Sequence, residues 1–203
     1  VGDLGEAVRQ KGLLKVWGEY VYDLICALDY LQTRREANAQ HIGMLGLSMG
    51  GWEALLLAAM DQRVDVVVSV AGQLHWEEVF KGEAWQVIFQ GLDLRRELVE
   101  NQVSGPEALE AFRRAYPGLY LTDAAQLVQR IAPRPLLLMT GSEDVFIAPM
   151  TTQKTHESAA MVYRKMGMEK RLGLWIAPDT GHSFPRSMQE RSLAWFERWL
   201  GVR

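Results

Sequence analysis

The chain has 203 residues, 48% of them apolar, and a formal net charge of −3. That is enough for one globular domain with a sizeable core, and residues 1–203 are read as one α/β domain. No basic run interleaved with aromatics occurs and no apolar run approaches the roughly eighteen residues that span a bilayer, so neither a nucleic-acid nor a membrane partner is expected.

Val1 to Leu14 holds three glycines and mixed charge and reads as loop. Val16 to Thr33 is helical, with Val16, Tyr20, Leu24, Ala27, Leu28 and Leu31 at helical spacing as its apolar face. Cys26, the single cysteine, lies in this helix and is read as a core thiol. One cysteine forms no intrachain disulfide, which favours a reducing compartment and a cytoplasmic location. Arg34 to Gln40 is a polar connection. Ile42 to Leu47 is a strand and Trp52 to Met60 a helix. Val64 to Val70 is nearly unbroken by polar residues, as in a strand covered on both faces.

Residues 73–131 are long for a simple crossover and read as a lid or pocket-wall insertion. Within them, Trp76 to Gln90 mixes aromatic and charged residues. A helix starts at Pro106 and runs to Tyr116, and Thr122-Asp123 caps another through Arg130. Pro135 to Thr140 is the third strand and Met150 to Met166 a helix. Arg171 to Ile176 is the fourth strand. Pro178 to His182 is a loop. Ser187 to Leu200 is an amphipathic helix whose core face is Trp195, Phe196, Trp199 and Leu200. Strands alternating with helices predict a parallel sheet with helices on both faces.

The informative stretch is Gly46-Leu47-Ser48-Met49-Gly50-Gly51, set between a strand and a helix. This is the context of a G-x-S-x-G nucleophile elbow. A serine at such a corner projects its hydroxyl above the sheet edge. Gly46 and Gly50 leave room beside it, and Gly51 lets the helix pack against the sheet. The N–H of Met49 opens that helix and points where an oxyanion forms.

A serine hydroxyl needs a base, and the base needs an orienting acid. In an open parallel sheet these gather at the carboxyl ends of strands. Asp144 follows the third strand in the turn Gly141 to Asp144; Glu143 is the alternative acid. His182 follows the fourth strand. His41 lies at the wrong end of its strand, His156 is within a helix, and His75 follows the second strand as a pocket contact before a base.

The order Ser48, Asp144, His182 resembles the α/β-hydrolase fold. Ala27-Leu28-Asp29-Tyr30-Leu31, the elbow, Pro135 to Leu138 with Gly141 to Asp144, and Gly181-His182-Ser183-Phe184 are similar to the branch of dienelactone hydrolases, acetyl xylan esterases and prolyl oligopeptidase-like proteins. The resemblance runs from about Gly12 onward. It implies Ser48 as nucleophile, His182 as base and then acid, Asp144 as orienting carboxylate and Met49 as one oxyanion donor. It implies no metal and no organic cofactor.

The chain departs from that fold ahead of the elbow, where four N-terminal strands and the loop giving the second oxyanion N–H are missing. The first strand would then carry an open edge. The expectation is a C-terminal half of a longer hydrolase, or a sheet completed by a homo-oligomer or partner chain. The leading functional reading is a serine hydrolase of small acyl esters. Peptidase and acyltransferase activity lie within the same chemistry. Gln73, His75, Trp76 and Phe146 are expected to line the pocket, with Phe184 beside the base. The rival is a catalytically silent binding or assembly module, or an incomplete fragment.

Overall fold

The computed structural model describes residues 11–201. Four parallel strands lie in the order β1 (Ile42–Leu47), β2 (Val64–Val70), β3 (Leu136–Gly141) and β4 (Leu172–Ala177). Helix α1 (Leu13–Gln32) precedes β1. Helix α2 (Met49–Met60) joins β1 to β2. Between β2 and β3 run α3 (Trp76–Lys81), α4 (Ala84–Ile88), α5 (Asp93–Glu100), α6 (Gly105–Ala115), a 3₁₀ turn (Pro117–Thr122) and α7 (Ala124–Ile131). Helix α8 (Pro149–Lys165) leads to β4, and α9 (Arg186–Leu200) closes the described chain.

The strands form where β-branched and aliphatic residues run together. β2 and β3 are buried almost throughout, as their unbroken apolar pattern predicts for a sheet covered on both faces. Leu136 and Leu138 enter one core with α1, α2, α7 and α8. Leu137 and Met139 enter a second core with Met188, Trp195 and Phe196 of α9. β1 pairs only with β2 among the described residues, and its side chains alternate half-buried and exposed. Gly43, Leu45 and Leu47 are the exposed ones.

Two expectations change in detail. α1 buries Val16, Trp17, Val21 and Leu28, while Ala27 and Leu31 are exposed. The apolar stripe therefore winds through Trp17 and Val21, because the aromatic Trp17 packs on Trp52 and Trp76. Cys26 is exposed rather than a core thiol, since it lies on the face of α1 turned from that stripe. Of the N-terminal stretch read as loop, residues 1–10 lie outside the described residues, and α1 begins at Leu13.

Residues 73–131 are built into the core. Phe80, Trp85, Phe89 and Phe112 are fully buried and pack on one another, stacked, tilted or edge to face, with centroids 4.5 to 6.0 Å apart. The stretch Trp76 to Gln90 forms two short helices, interrupted by Gly82 and Glu83.

Arg134 ties this segment to the sheet. Its guanidinium donates to Asp61 O at 3.0 Å, to Val64 O at 2.8 Å, to Ile131 O at 3.2 Å and to Ala58 O. These include last-turn carbonyls of α2, which no helical N–H can reach. Arg134→Ala should lower unfolding stability by roughly 2–3 kcal/mol, because several half-buried carbonyls lose their donor together. Urea denaturation checks this, and a loss below about 0.5 kcal/mol would show that water replaces the guanidinium fully.

Candidate active site

The register aligns the carboxyl ends of all four strands. Leu47 pairs with Val70, Val70 with Met139, and Gly141 with Ala177. Ser48, Ala71, Asp144 and His182 follow these ends, so the sheet places them at one edge.

Ser48 leaves β1 with φ 57° and ψ −120°, a conformation side chains rarely adopt. Its N–H donates to Val70 O at 2.8 Å, and its C=O accepts from Trp52 N at 3.1 Å, opening α2. A Cβ on Gly46 would stand 2.0 Å from Gly50 O, and one on Gly51 would stand 2.6 Å from Val70 O. A Cβ on Gly50 would meet nothing within 4 Å. The crowded elbow positions are therefore Gly46 and Gly51, and Gly50 is not one, contrary to the expectation. Met49 is the first residue of α2 and its side chain is 53% exposed.

Asp144 is buried and carries four contacts. Its carboxylate accepts from Phe146 N at 2.9 Å, from Ile147 N at 2.8 Å and from Thr140 Oγ1 at 3.3 Å. The fourth contact is His182 Nδ1 at 2.8 Å from Oδ2. Across the ring, His182 Nε2 lies 2.8 Å from Ser48 Oγ. With Nδ1–H donating to the carboxylate, Nε2 is left as the acceptor for the serine hydroxyl. Glu143 is exposed, and only its backbone N–H is engaged, with Thr180 O at 2.9 Å.

The acid turn and the base loop are packed backbone to backbone. Ser142 N donates to Ala177 O at 2.8 Å, and a Cβ on Gly141 would stand 2.0 Å from Thr180 O. Asp179 takes φ 48° to bring the loop round.

The predicted pocket residues divide. The Phe146 ring stands edge to face on His182, with centroids 5.1 Å apart, and is 36% exposed. Phe184 is half-buried and packs on the second core. His75 is half-buried, and its Nδ1 is buried with no hydrogen-bond partner. Asp123 near it caps α7 through Ala125 N, and burial pushes its carboxyl up. Gln73 and Trp76 are buried, not exposed. Gln73 is 0% exposed with its amide engaged by Ser69 and Thr152, and Trp76 stacks in the aromatic core. Sequence reading missed Ser69, Thr140 and Thr152, which are buried and hydrogen-bonded around the strand ends. The signal for Ser69 was a lone hydroxyl in a valine run. Among the described residues, no group of three or more His, Cys, Asp or Glu is placed to hold a metal ion. No described helix is long and apolar enough to cross a membrane.

A parallel sheet with Ser, Asp and His after its first, third and fourth strands defines an α/β-hydrolase fold. The chain belongs to the family described as glucuronyl esterase, fungi, whose model matches residues 3–167. That match includes Ser48 and Asp144 and ends before His182. The chain is 27% identical over 186 residues to a putative hydrolase, YtaP, of Bacillus subtilis strain 168, covering 91% of this chain and 54% of the relative. It is 24% identical over 195 residues to 4-O-methyl-glucuronoyl methylesterase 1 of Wolfiporia cocos, covering 89% and 45%. The chain thus spans about half the length of the curated relatives it matches.

Solved structures share the fold. A promiscuous esterase of carbohydrate esterase family 15, from a marine bacterial metagenome, superposes with TM-score 0.65 at 19% identity, covering 88% of this chain and 47% of that one. A glucuronoyl esterase from Caldicellulosiruptor kristjansonii gives 0.63 at 21%, covering 90% and 50%.

Proposed function

We propose that this chain is the triad-bearing part of a serine esterase acting on a sugar-acid ester, of the glucuronoyl methyl ester kind. The observation that carries the reading is the unbroken line Ser48 Oγ, His182 Nε2, His182 Nδ1, Asp144 Oδ2, with 2.8 Å at each hydrogen bond. Family membership and the names of the relatives supply the substrate class.

In this reading Ser48 Oγ attacks the ester carbonyl as His182 Nε2 takes its proton. The imidazolium is held by the Asp144 carboxylate. The oxyanion faces the Met49 N–H at the start of α2. His182 then gives its proton to the leaving alcohol oxygen, and an acyl-enzyme on Ser48 remains. A water deprotonated by His182 releases the acid. Phe146 and Phe184 border the base, and His75 reaches the same end of the sheet.

A second reading has its own observation. β1 is an edge strand among the described residues, with exposed Leu45 and Leu47. Such an edge is met by a second copy or a partner strand, and the chain would then act as a binding or assembly module.

A fluorophosphonate probe separates the two. The esterase reading expects stoichiometric labelling mapped to Ser48, together with methanol release from the methyl ester of 4-O-methyl-glucuronic acid. Labelling and p-nitrophenyl acetate turnover without methanol release would restrict the chain to simple esters. Absence of labelling would sink the esterase reading.

A further inference from the structure

Gln73 lies between the nucleophile segment and the acid segment, in contact with a group from each. Its side chain is 0% exposed. Nε2 donates to Ser69 O and to Ser69 Oγ, both at 2.8 Å, and Oε1 accepts from Thr152 Oγ1 at 3.0 Å. Ser69 Oγ donates onward to Gly51 O at 2.8 Å. Gly51 lies in the first turn of α2, directly after the elbow, and Thr152 in the first turn of α8, directly after the Asp144 turn. Ser69 and Thr152 are also 0% exposed. One amide therefore spans from the serine's helix to the acid's helix through buried hydroxyls.

The backbone is bent to make this connection. Ala71 takes φ 46°, a left-handed conformation that disfavours a side chain. Gly72 follows, and a Cβ there would stand 2.3 Å from Gly51 C and from Trp52 N. The loop thus presses on the backbone of the elbow helix while Gln73 turns inward. An apolar side chain of similar size would fill the same space without buried polar groups to satisfy. Both donors of the amide are engaged, and its oxygen accepts one bond, so the site specifies a glutamine rather than tolerating one.

We propose that Gln73 is a positioning residue that sets the spacing between Ser48 and Asp144, acting through Ser69–Gly51 on one side and Thr152 on the other. This rests on the esterase reading for its effect on rate, but not for its effect on structure. A shift of about 1 Å between nucleophile and base is enough to cost on the order of 10²-fold.

The test compares Gln73→Leu, Thr152→Val and a core control, Leu109→Ala in α6, in the full chain. Turnover of p-nitrophenyl acetate gives kcat and KM, and hydrogen exchange by mass spectrometry follows residues 44–55 and 142–153. Gln73→Leu should lower kcat by about tenfold or more with KM within about twofold, and should raise exchange in both segments together. Thr152→Val, which loses one hydroxyl at constant shape, should show the same pattern more weakly and decides the matter if Gln73→Leu does not fold. Leu109→Ala should lose stability while leaving exchange in both segments at the parental rate. Parental exchange at residues 44–55 in the folded Gln73→Leu or Thr152→Val chain overturns the proposal, whatever the turnover. An unlabelled, inactive parent overturns the esterase reading, and the exchange result still decides the role of Gln73.

Discussion

Ser48→Ala should lower kcat for an activated ester by about 10⁴-fold or more, and Asp144→Asn by a similar factor through a different atom. The serine variant removes the attacking oxygen that stands 2.8 Å from His182 Nε2. The asparagine variant leaves the nucleophile and the fold in place. Its amide oxygen can still accept from Phe146 N and Ile147 N, as Asp144 Oδ1 does. Its NH₂ then faces His182 Nδ1, where Oδ2 stood at 2.8 Å. A donor there forces the ring proton onto Nε2, which becomes a donor toward Ser48 and cannot take its proton. Asp144→Asn should therefore keep its thermal midpoint near that of the parent while losing turnover. Glu143→Gln should stay within about twofold of the parent, since only the backbone of Glu143 is engaged. The double variant Ser48→Ala with His182→Ala should be no slower than either single, because the two act as one unit. Turnover that survives Asp144→Asn and fails in Glu143→Gln would reassign the acid.

Much of this arrangement was legible because each part has a local cause. The valine run of β2 predicts its two-sided burial, and strand–turn–helix punctuation around Ser48 predicts the elbow. Asp144 and His182, which the structure brings into contact with each other and with Ser48, were picked out by their place just past strands together with the family resemblance and the order Ser, Asp, His. The pocket was less legible. Gln73 and Trp76 follow a strand just as His75 does, but neither residue type says whether it turns toward solvent or core. That choice is made by Thr152, 79 positions away, and by the aromatic cluster of the α3–α6 segment. Cys26 was misplaced for the same reason. The helical period of α1 is plain, but Trp17 and its contact with Trp52 decide which face turns inward. Gly50 was misjudged because the motif marks glycines without saying which one is crowded.

That last point gives the sharpest structural test. Gly46→Ala should abolish Ser48 labelling and destabilise the fold, whereas Gly50→Ala should leave the thermal midpoint within a few degrees of the parent. The added methyl at Gly46 would sit 2.0 Å from Gly50 O, 2.1 Å from Gly50 C and 2.7 Å from Gly51 N. All three are backbone atoms, so no rotamer change relieves the clash. The start of α2 would have to retreat by roughly an ångström, carrying the Met49 N–H and the Ser48 turn with it. Ser48 N is tied to Val70 O at 2.8 Å and Gly51 O to Ser69 Oγ at 2.8 Å, so that retreat also breaks the elbow from β2. Overpacking of this kind costs about 1–3 kcal/mol or more, and misplacement near the nucleophile costs rate on top of it. At Gly50 the same methyl meets open space and φ is not left-handed, so a helical alanine there is favoured by roughly 0.5–1 kcal/mol. Scanning calorimetry and phosphonate labelling of the two variants side by side read both effects. If Gly46→Ala labels at the parental rate, the elbow is looser than its backbone contacts require, and the strained turn at Ser48 would then owe its shape to α2 alone.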